Sequence, residues 1–521
     1  MSKDFTEYKD LIFYQIYPKS FCDSNGDGIG DIKGILSKIE HLKDLGVNAV
    51  WLTPCFKTPN VDNGYDISNY RDIDEEVGTI EEMEQLIDIL HQNGLKVILD
   101  LVANHTSTEH EWFLRSRETK DNPYRDYYIW RKMPPNDWQS TFGGSAWEYD
   151  ERTEEYYLHS FAIEQADLNW DNPKVREEMK AVVDFWVQKG VDGFRCDVLD
   201  MISKDFEKNK NGDGPHLHEY IRELFGREET QGLFTVGECW SADTDNVKLF
   251  CDKDRNELTT VFAFQHLCVD EGRFLMKKPP LQEVCARISN WQISMQKAGL
   301  TPTIFLNNHD QPRAVSRYGD DGKLRYESAT LLAGLVLLHY GIPFLFQGEE
   351  IGLTNSTHDK FEEFNDVETV NYYKLNRGKI SNREMLARIN YGGRDNARHL
   401  IPWTGDMVKS WIAPYSRISE INVEKEKSSK KSIFAFYQEL IALRKREKCI
   451  TEGVYEVVEL NEERYVFRRK HLNQSITVVC NFEKESSFDV ALNGVELLSN
   501  IPIKKGVLLP YQIVVYKTNE Y

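Results

Sequence analysis

The 521-residue chain contains no apolar run long enough to span a bilayer, which excludes a membrane-crossing helix. Positive charge is also scarce: 64 Lys and Arg stand against 84 Asp and Glu, for a net charge of −20. Phosphate backbones and anionic lipid surfaces attract clustered cations, so nucleic acid and membrane surfaces are excluded as partners. The nine Cys are scattered, odd in number and without paired metal-ligand spacing. A disulfide framework or zinc site does not fit, and reduced thiols do. No apolar stretch of the secretory kind follows Met1, so a cytoplasmic location is the expectation. Low-complexity segments are missing too, and the charged run 424–431 reads as a solvated loop.

Aromatic residues, by contrast, are plentiful at 12%. Most fill cores, but a surplus also supplies the flat apolar faces on which sugar rings stack. The length exceeds one compact domain and allows a large barrel with additions. Short apolar runs at 11–17, 48–53, 96–102, 193–198, 233–238, 259–264, 303–307 and 343–347 read as strands. Amphipathic stretches at 32–45, 80–93, 175–189, 281–298 and 327–340 lie between or after them, with a final one at 433–446. Eight strands each followed by a helix give an α/β fold of the (β/α)8 TIM-barrel type. Residues 1–104 and 169–452 are assigned to the barrel. The irregular segment 105–168 is assigned to a small domain inserted after the third strand. Alternating runs within 453–521 predict a C-terminal antiparallel β-sandwich.

Polar clusters fall at the carboxyl ends of four predicted strands, where barrel enzymes place their chemistry. They are Asp100–His105, Gly193–Val198, Gly237–Trp240 and Phe305–Asp310. Arg195 lies two residues before Asp197 and faces the same side of its strand, so it can hold Asp197 ionised. Glu238 has no Arg or Lys beside it in sequence, and Val236 and Trp240 favour its neutral form. One charged and one protonated carboxyl suit glycosidic cleavage: Asp197 as nucleophile and Glu238 as acid/base. A third acid, Asp310, with His309 and His105, can grip sugar hydroxyls.

These residues, DLVANH (100–105), GFRCDV (193–198), GECW (237–240) and FLNNHD (305–310), strongly resemble the four conserved regions of the α-amylase superfamily, glycoside hydrolase family thirteen. The resemblance covers nearly the whole chain and implies a retaining double displacement, with Asp310 as transition-state stabiliser and Arg195, His105 and His309 in support. Within the superfamily the chain looks like the oligo-1,6-glucosidase and dextran glucosidase subgroup. PNVDNGYD (59–66) resembles that group's pocket motif, in which Asp62 clamps the terminal glucose and Tyr65 stacks on it. GGRDNAR (392–398) resembles the matching loop, with Arg394 pairing Asp62 and Arg398 carried over as a binding residue. That pairing closes the pocket and implies an exo-acting α-glucosidase. QADLNW (165–170) resembles the segment returning from the inserted domain, with Ala166 where Pro is usual, and brings Gln165 to the site. Phe142, Phe161 and Phe264 are pocket aromatics by position. Val198, beside the nucleophile, goes with α-1,6 linkages in relatives, and Trp240 offers a platform for the second sugar.

Asp23, Asn25, Asp27, Ile29 and Asp31 follow the first strand, with oxygen donors at alternate positions and a backbone carbonyl at Ile29. This pattern fits a hard cation, although Gly34 stands where an EF-hand places its bidentate Glu. The resemblance implies a structural Ca2+ here, and no organic cofactor is expected. The expected partner is a small oligosaccharide, bound by a monomer. A sucrose-cleaving α-glucosidase and a trehalose-6-phosphate hydrolase share the fold; the latter needs cations at the leaving-group subsite, where Lys277 and Lys278 are candidates. A different class, an inactive glycan-binding barrel, is disfavoured because all three acids are kept.

Overall fold

Eight short parallel strands run β1 (Phe13–Ile16), β2 (Ala49–Leu52), β3 (Lys96–Val102), β4 (Gly193–Asp197), β5 (Phe234–Gly237), β6 (Thr260–Val261), β7 (Thr303–Ile304) and β8 (Ile342–Phe346). This computed structural model describes residues 8–268, 272–406, 408–487 and 494–519. The strands hydrogen-bond in the order β6-β5-β4-β3-β2-β1-β8-β7. Between β6 and β7, where no ladder is formed, the Thr303 hydroxyl donates to the Val261 carbonyl at 3.1 Å and closes the (β/α)8 barrel. β6 and β7 are two residues each, shorter than the apolar runs 259–264 and 303–307 predict. Past Val261 and Ile304 the chain leaves the ladder, and the apolar side chains Phe262, Phe264 and Phe305 remain buried without strand pairing.

The barrel is packed, not open. Phe13 stacks on Phe344 at 4.5 Å and lies 4.9 Å from Phe234, and Phe262 and Ile98 join the same cluster. Much of the aromatic surplus is therefore core. Outside the barrel, the helix Ile80–Gln92 shows how the sequence sets its elements. Thr79 and Glu82 form a reciprocal capping box at its start, and Met83, Leu86, Ile87 and Leu90 bury one face at helical spacing. The run 424–431 is not simply a loop: Val423–Ser428 is a helix capped by Asn422. Glu426 turns inward there, pairing with Arg325 at 3.2 Å and capping Ile433. Alternating charge hid this anchor, because most of its neighbours do face water.

Between β3 and the helix Pro173–Gln188 the chain makes an excursion, with one short helix, Glu111–Ser116. Its three-stranded antiparallel sheet joins Trp130–Arg131, Glu155–Leu158 and Trp147–Asp150 in that order. His105–Ser107 pairs antiparallel with Gln165–Asp167, so the way out and the way back are stitched together beside the barrel mouth. At the other end of the chain, β9 (Val454–Leu460), β10 (Arg464–His471), β11 (Gln474–Asn481), β12 (Val495–Ser499) and β13 (Ile513–Asn519) form an antiparallel sheet ordered β9-β10-β11-β13-β12. One face packs on the helices Leu281–Ala298 and Arg325–Leu337, while Leu508 of a two-stranded pair packs on Val466, Val479 and Val514 of the other face. Among the described residues, no helix is long and apolar enough to cross a membrane.

Candidate active site

β4 and β5 deliver two acids side by side. The ladder continues past the strand ends, with Glu238 N–H donating to the Cys196 carbonyl at 2.8 Å and Leu199 N–H to the Glu238 carbonyl at 2.9 Å. Asp197 and Glu238 are thus held on adjacent strand ends at the mouth of the barrel. Arg195 lies between them: Nη1 is 2.7 Å from Asp197 Oδ1, and Nη2 pairs closely with Glu238 Oε2. The same Nη1 is 2.8 Å from Asp100 Oδ1.

Two readings from sequence need correction here. Glu238 does have a cation beside it, because Arg195 reaches across from the neighbouring strand, which sequence distance cannot reveal. Nor does Arg195 simply hold Asp197 ionised. Burial lifts the Asp197 carboxyl well above the usual range, the Arg195 charge opposes that, and the charges of Glu238 and Asp100 add to the rise. One guanidinium thus faces three carboxyls in a buried site.

Asp100 received no role from the sequence beyond opening its cluster, yet it anchors the whole layer. Its Oδ2 accepts from Trp51 Nε1 at 3.2 Å and from the Tyr65 hydroxyl at 3.0 Å. Tyr65 also meets His309 Nε2 at 2.7 Å, its ring parallel to the imidazole. Gln15 Nε2 donates to His309 Nδ1 at 2.8 Å, leaving Nε2 to carry the proton toward Asp310 Oδ2, 3.0 Å away. Burial alone would raise the Asp310 carboxyl, but His309, Arg394 and Arg398 hold it well below the usual carboxylate range. Asp310 is therefore an ionised group among fixed cations.

The loops carrying Asp62 and Arg394 meet above this layer. Arg394 Nη2 is 2.9 Å from Asp62 Oδ1, and Arg394 Nη1 is 3.1 Å from Asp310 Oδ1. Arg398 Nη2 reaches the same Asp310 oxygen at 2.8 Å. A residue the sequence did not flag fixes this corner: Asp366 is buried 2.6 Å from Arg394 Nη2. It lies in no strand-end motif, and only its pairing in space reveals it. Gln165 Nε2 bridges Asp62 Oδ2 and His105 Nε2 at 3.2 Å each. Burial pushes His105 down to about 4, so its imidazole is neutral at ordinary pH.

A cavity of about 550 Å³, within the usual size for small ligands, opens onto these groups. Of the residues singled out from sequence, Asp62, Tyr65, His105, Phe142, Phe161, Asp197, Val198, Glu238, Trp240, Phe264, Asp310 and Arg394 line it. Gln165, Arg195, His309 and Arg398 sit behind and hold lining residues by the contacts above. Trp240, half exposed, stacks on Phe264 at 4.1 Å. Val198 adopts φ 33 and ψ 46, a left-handed conformation that a β-branched side chain resists. Neither Lys277 nor Lys278 lines the cavity; Lys278 pairs with Glu483 at 3.0 Å.

The loop of Asp23, Asn25, Asp27, Ile29 and Asp31 lies apart from the cavity. Its donors are all oxygen, the chemistry a hard cation takes. Here they serve backbone amides: Asp23 Oδ1 accepts from Asn25 and Gly26, Asp27 Oδ1 from Ile29, and Asp31 Oδ1 from Gly34 at the start of the helix Ile32–Ser37. Among the described residues no three Asp, Glu, His or Cys side chains gather into a ready-made metal cluster.

Comparison with known proteins places this geometry in context. The family model for the catalytic domain of alpha amylase matches residues 15–453. An oligo-1,6-glucosidase of Parageobacillus thermoglucosidasius is 44% identical over 513 residues, covering 92% of this chain and 91% of that protein. A trehalose-6-phosphate hydrolase of Bacillus subtilis is 39% identical, covering 98% of each. Among solved structures, a trehalulose synthase from Pseudomonas mesoacidophila superposes with a TM-score of 0.93 at 37% identity, covering 98% of this chain and 99% of that one.

Proposed function

The chain belongs to the alpha-amylase family, and we propose that it is a retaining exo-α-glucosidase that releases glucose from the non-reducing end of α-1,6-linked isomalto-oligosaccharides. The observation that carries this reading is the Asp197–Arg195–Glu238 cluster at one wall of a cavity whose other corner is closed by the Asp62–Arg394 pair. Two carboxyls bound to the two amino groups of one guanidinium support a double displacement, which needs its acids about 5–5.5 Å apart; inversion would need about 6.5–9.5 Å, with room for a water.

In the first half-reaction Asp197 attacks the anomeric carbon while Glu238 protonates the departing glycosidic oxygen. In the second, Glu238 takes a proton from water as that water displaces Asp197. Glu238 must carry a proton when substrate binds, and the chemistry returns one there after each turnover. Asp310, kept ionised, accepts hydroxyls of the terminal glucose, and its fixed partners need no reorganisation as the ring flattens. Neutral His105 lines the cavity and supplies a further hydrogen-bonding group, while His309 holds Asp310 from behind. Asp62, gripped by Arg394, blocks extension beyond that glucose, which makes the cleavage exo.

The α-1,6 preference is supported by the names of the relatives and by Val198, whose isopropyl group crowds the cavity beside Asp197. A linkage through a flexible CH2–O arm accommodates that crowding. The runner-up, trehalose-6-phosphate hydrolysis, is favoured by the Bacillus subtilis relative. Charge speaks against it: seven acidic side chains line the cavity against two arginines, and those arginines are paired with Asp62, Asp310, Asp366 and Glu368. A phosphate entering there meets repulsion without a free cation. A sucrose-cleaving activity would use the same glucose pocket.

Initial rates on isomaltose, maltose, sucrose and trehalose 6-phosphate, read as released glucose, test the reading. Isomaltose is expected to give the highest kcat/KM. A clear maltose preference contradicts the linkage, and a trehalose-6-phosphate preference selects the runner-up. A structural Ca2+ held by Asp23, Asn25, Asp27, the Ile29 carbonyl and Asp31 is part of the proposal, supported by the oxygen-only donor set. So is a monomer in a reducing cytoplasm, supported by the scattered cysteines.

A further inference from the structure

Beyond Glu238 the cavity has a second wall that the glucose pocket does not use. It is built from three segments: the 3₁₀ turn Leu199–Met201 that follows Val198, the turn around Asn211–Asp213, and Ser241 after Trp240. Backbone bonds lock them together, Asp213 N–H to the Asp200 carbonyl at 2.7 Å and Ser241 N–H to Asp200 Oδ2 at 2.7 Å. Asp200 is 5% exposed, lines the cavity, and leaves Oδ1 with no hydrogen-bond partner. Asn211, which donates through Nδ2 to the Ser160 hydroxyl at 2.9 Å, likewise leaves Oδ1 unpartnered and lines the cavity.

An orphaned buried acceptor is costly, and a carboxylate oxygen more so, unless a ligand supplies the missing donor. Both of these orphans are acceptors; Ser241 Oγ beside them is also unpartnered and can donate, and Lys210, next to Asn211, is taken up by Asp213 at 3.3 Å. Burial pushes the Asp200 carboxyl up to about 6, against the lowering effect of the Ser241 amide.

We propose that Asp200 and Asn211 form the recognition surface for the leaving group, accepting hydrogen bonds from hydroxyls of an uncharged polyhydroxy unit such as the second sugar of a disaccharide. This rests on the glucosidase reading above and adds to it the residues that select what glucose is attached to. The wall fits a leaving group rich in O–H donors and gives little to one that has none.

The test compares kcat/KM for isomaltose with kcat/KM for 4-nitrophenyl α-glucoside, whose leaving group brings no hydroxyl donor to the wall. Wild-type turnover of both substrates checks the glucosidase reading independently. In Asp200→Ala and, separately, Asn211→Ala, the isomaltose-to-nitrophenyl ratio is expected to fall about ten-fold, the size of a lost hydrogen bond to a buried acceptor. A fall of less than about three-fold in both variants overturns the proposal. Should Asp200→Ala fail to fold for want of its bond to Ser241, Asn211→Ala decides, since Asn211 gives up only its contact to Ser160. If wild type cleaves neither glucoside, it is the glucosidase reading that fails.

Discussion

Arg195 is the residue on which the account turns, because its guanidinium touches Asp100, Asp197 and Glu238 at once. The strand-end acids were legible in sequence, since each sits at the end of an apolar run where an ionised group needs a reason. The sharing of one cation among three of them was not, because β3, β4 and β5 come together only in space. Asp366 was invisible for a related cause: nothing local marks it, and its meaning comes from the buried Arg394 it holds. Asp366→Ala is expected to release Arg394 and raise KM for isomaltose about ten-fold, with a smaller effect on kcat. Steady-state kinetics on the folded variant would check this, and an unchanged KM would count against a positioning role. Glu238→Gln cannot protonate a leaving group, so isomaltose cleavage should slow by about 10²–10⁴, whereas 4-nitrophenyl α-glucoside, whose phenolate leaves unaided, should slow less. Equal losses on both substrates would argue that Glu238 is structural.

At the scale of elements, the number and order of barrel strands could be read from apolar runs, but their ends could not. β6 and β7 stop after two residues because the buried aromatics that follow satisfy the hydrophobic pattern without ladder pairing. The helix Val423–Ser428 was missed because one inward glutamate is masked by its charged neighbours. Gly193, which opens β4, shows how tightly the strands approach: a Cβ there would lie 1.8 Å from the Phe234 carbonyl oxygen on β5. That partner is backbone and cannot swing away. Gly193→Ala should therefore break the β4–β5 register that presents Asp197 and Glu238, and soluble, folded yield should collapse; a normal circular-dichroism melt would refute this. The loop Asp23–Asp31 carries its own prediction. If it holds Ca2+, EDTA should lower Tm by several degrees and added Ca2+ should restore it, as mass action on a native-state ligand requires. A Tm indifferent to both would remove the ion from the proposal.

For the whole molecule, the C-terminal sheet is joined to the barrel by shared core. Tyr465, Phe467, Ile476, Val478 and Ile513 pack into the same cluster as Leu331, Leu335 and Leu338. Alternating runs revealed β10, β11 and β13 of that sheet but not β9 or β12, while its attachment depended on which faces of 281–298 and 327–340 turn outward, which periodicity alone does not assign. Deep in the barrel's outer layer, burial pushes the Glu349 carboxyl from its ordinary 4.5 up to about 8. Across that window the unfolded chain has released this proton and the folded protein keeps it. Stability from this group is thus complete below about 4.5 and declines as pH rises toward 8. Tm measured between about pH 6.5 and 8 should fall, and Glu349→Gln should flatten that slope; parallel slopes would show that Glu349 is not the titrating group.

The central claim is a covalent glucosyl ester on Asp197, formed with help from Glu238. It is tested most directly by incubating the enzyme with 5-fluoro-α-glucosyl fluoride, which slows release of the intermediate, and sequencing the labelled peptide by mass spectrometry. The account predicts one fluoroglucosyl unit per chain, carried by Asp197. Turnover of the reagent to β-configured sugar with no adduct, or a label on any other residue, would contradict it.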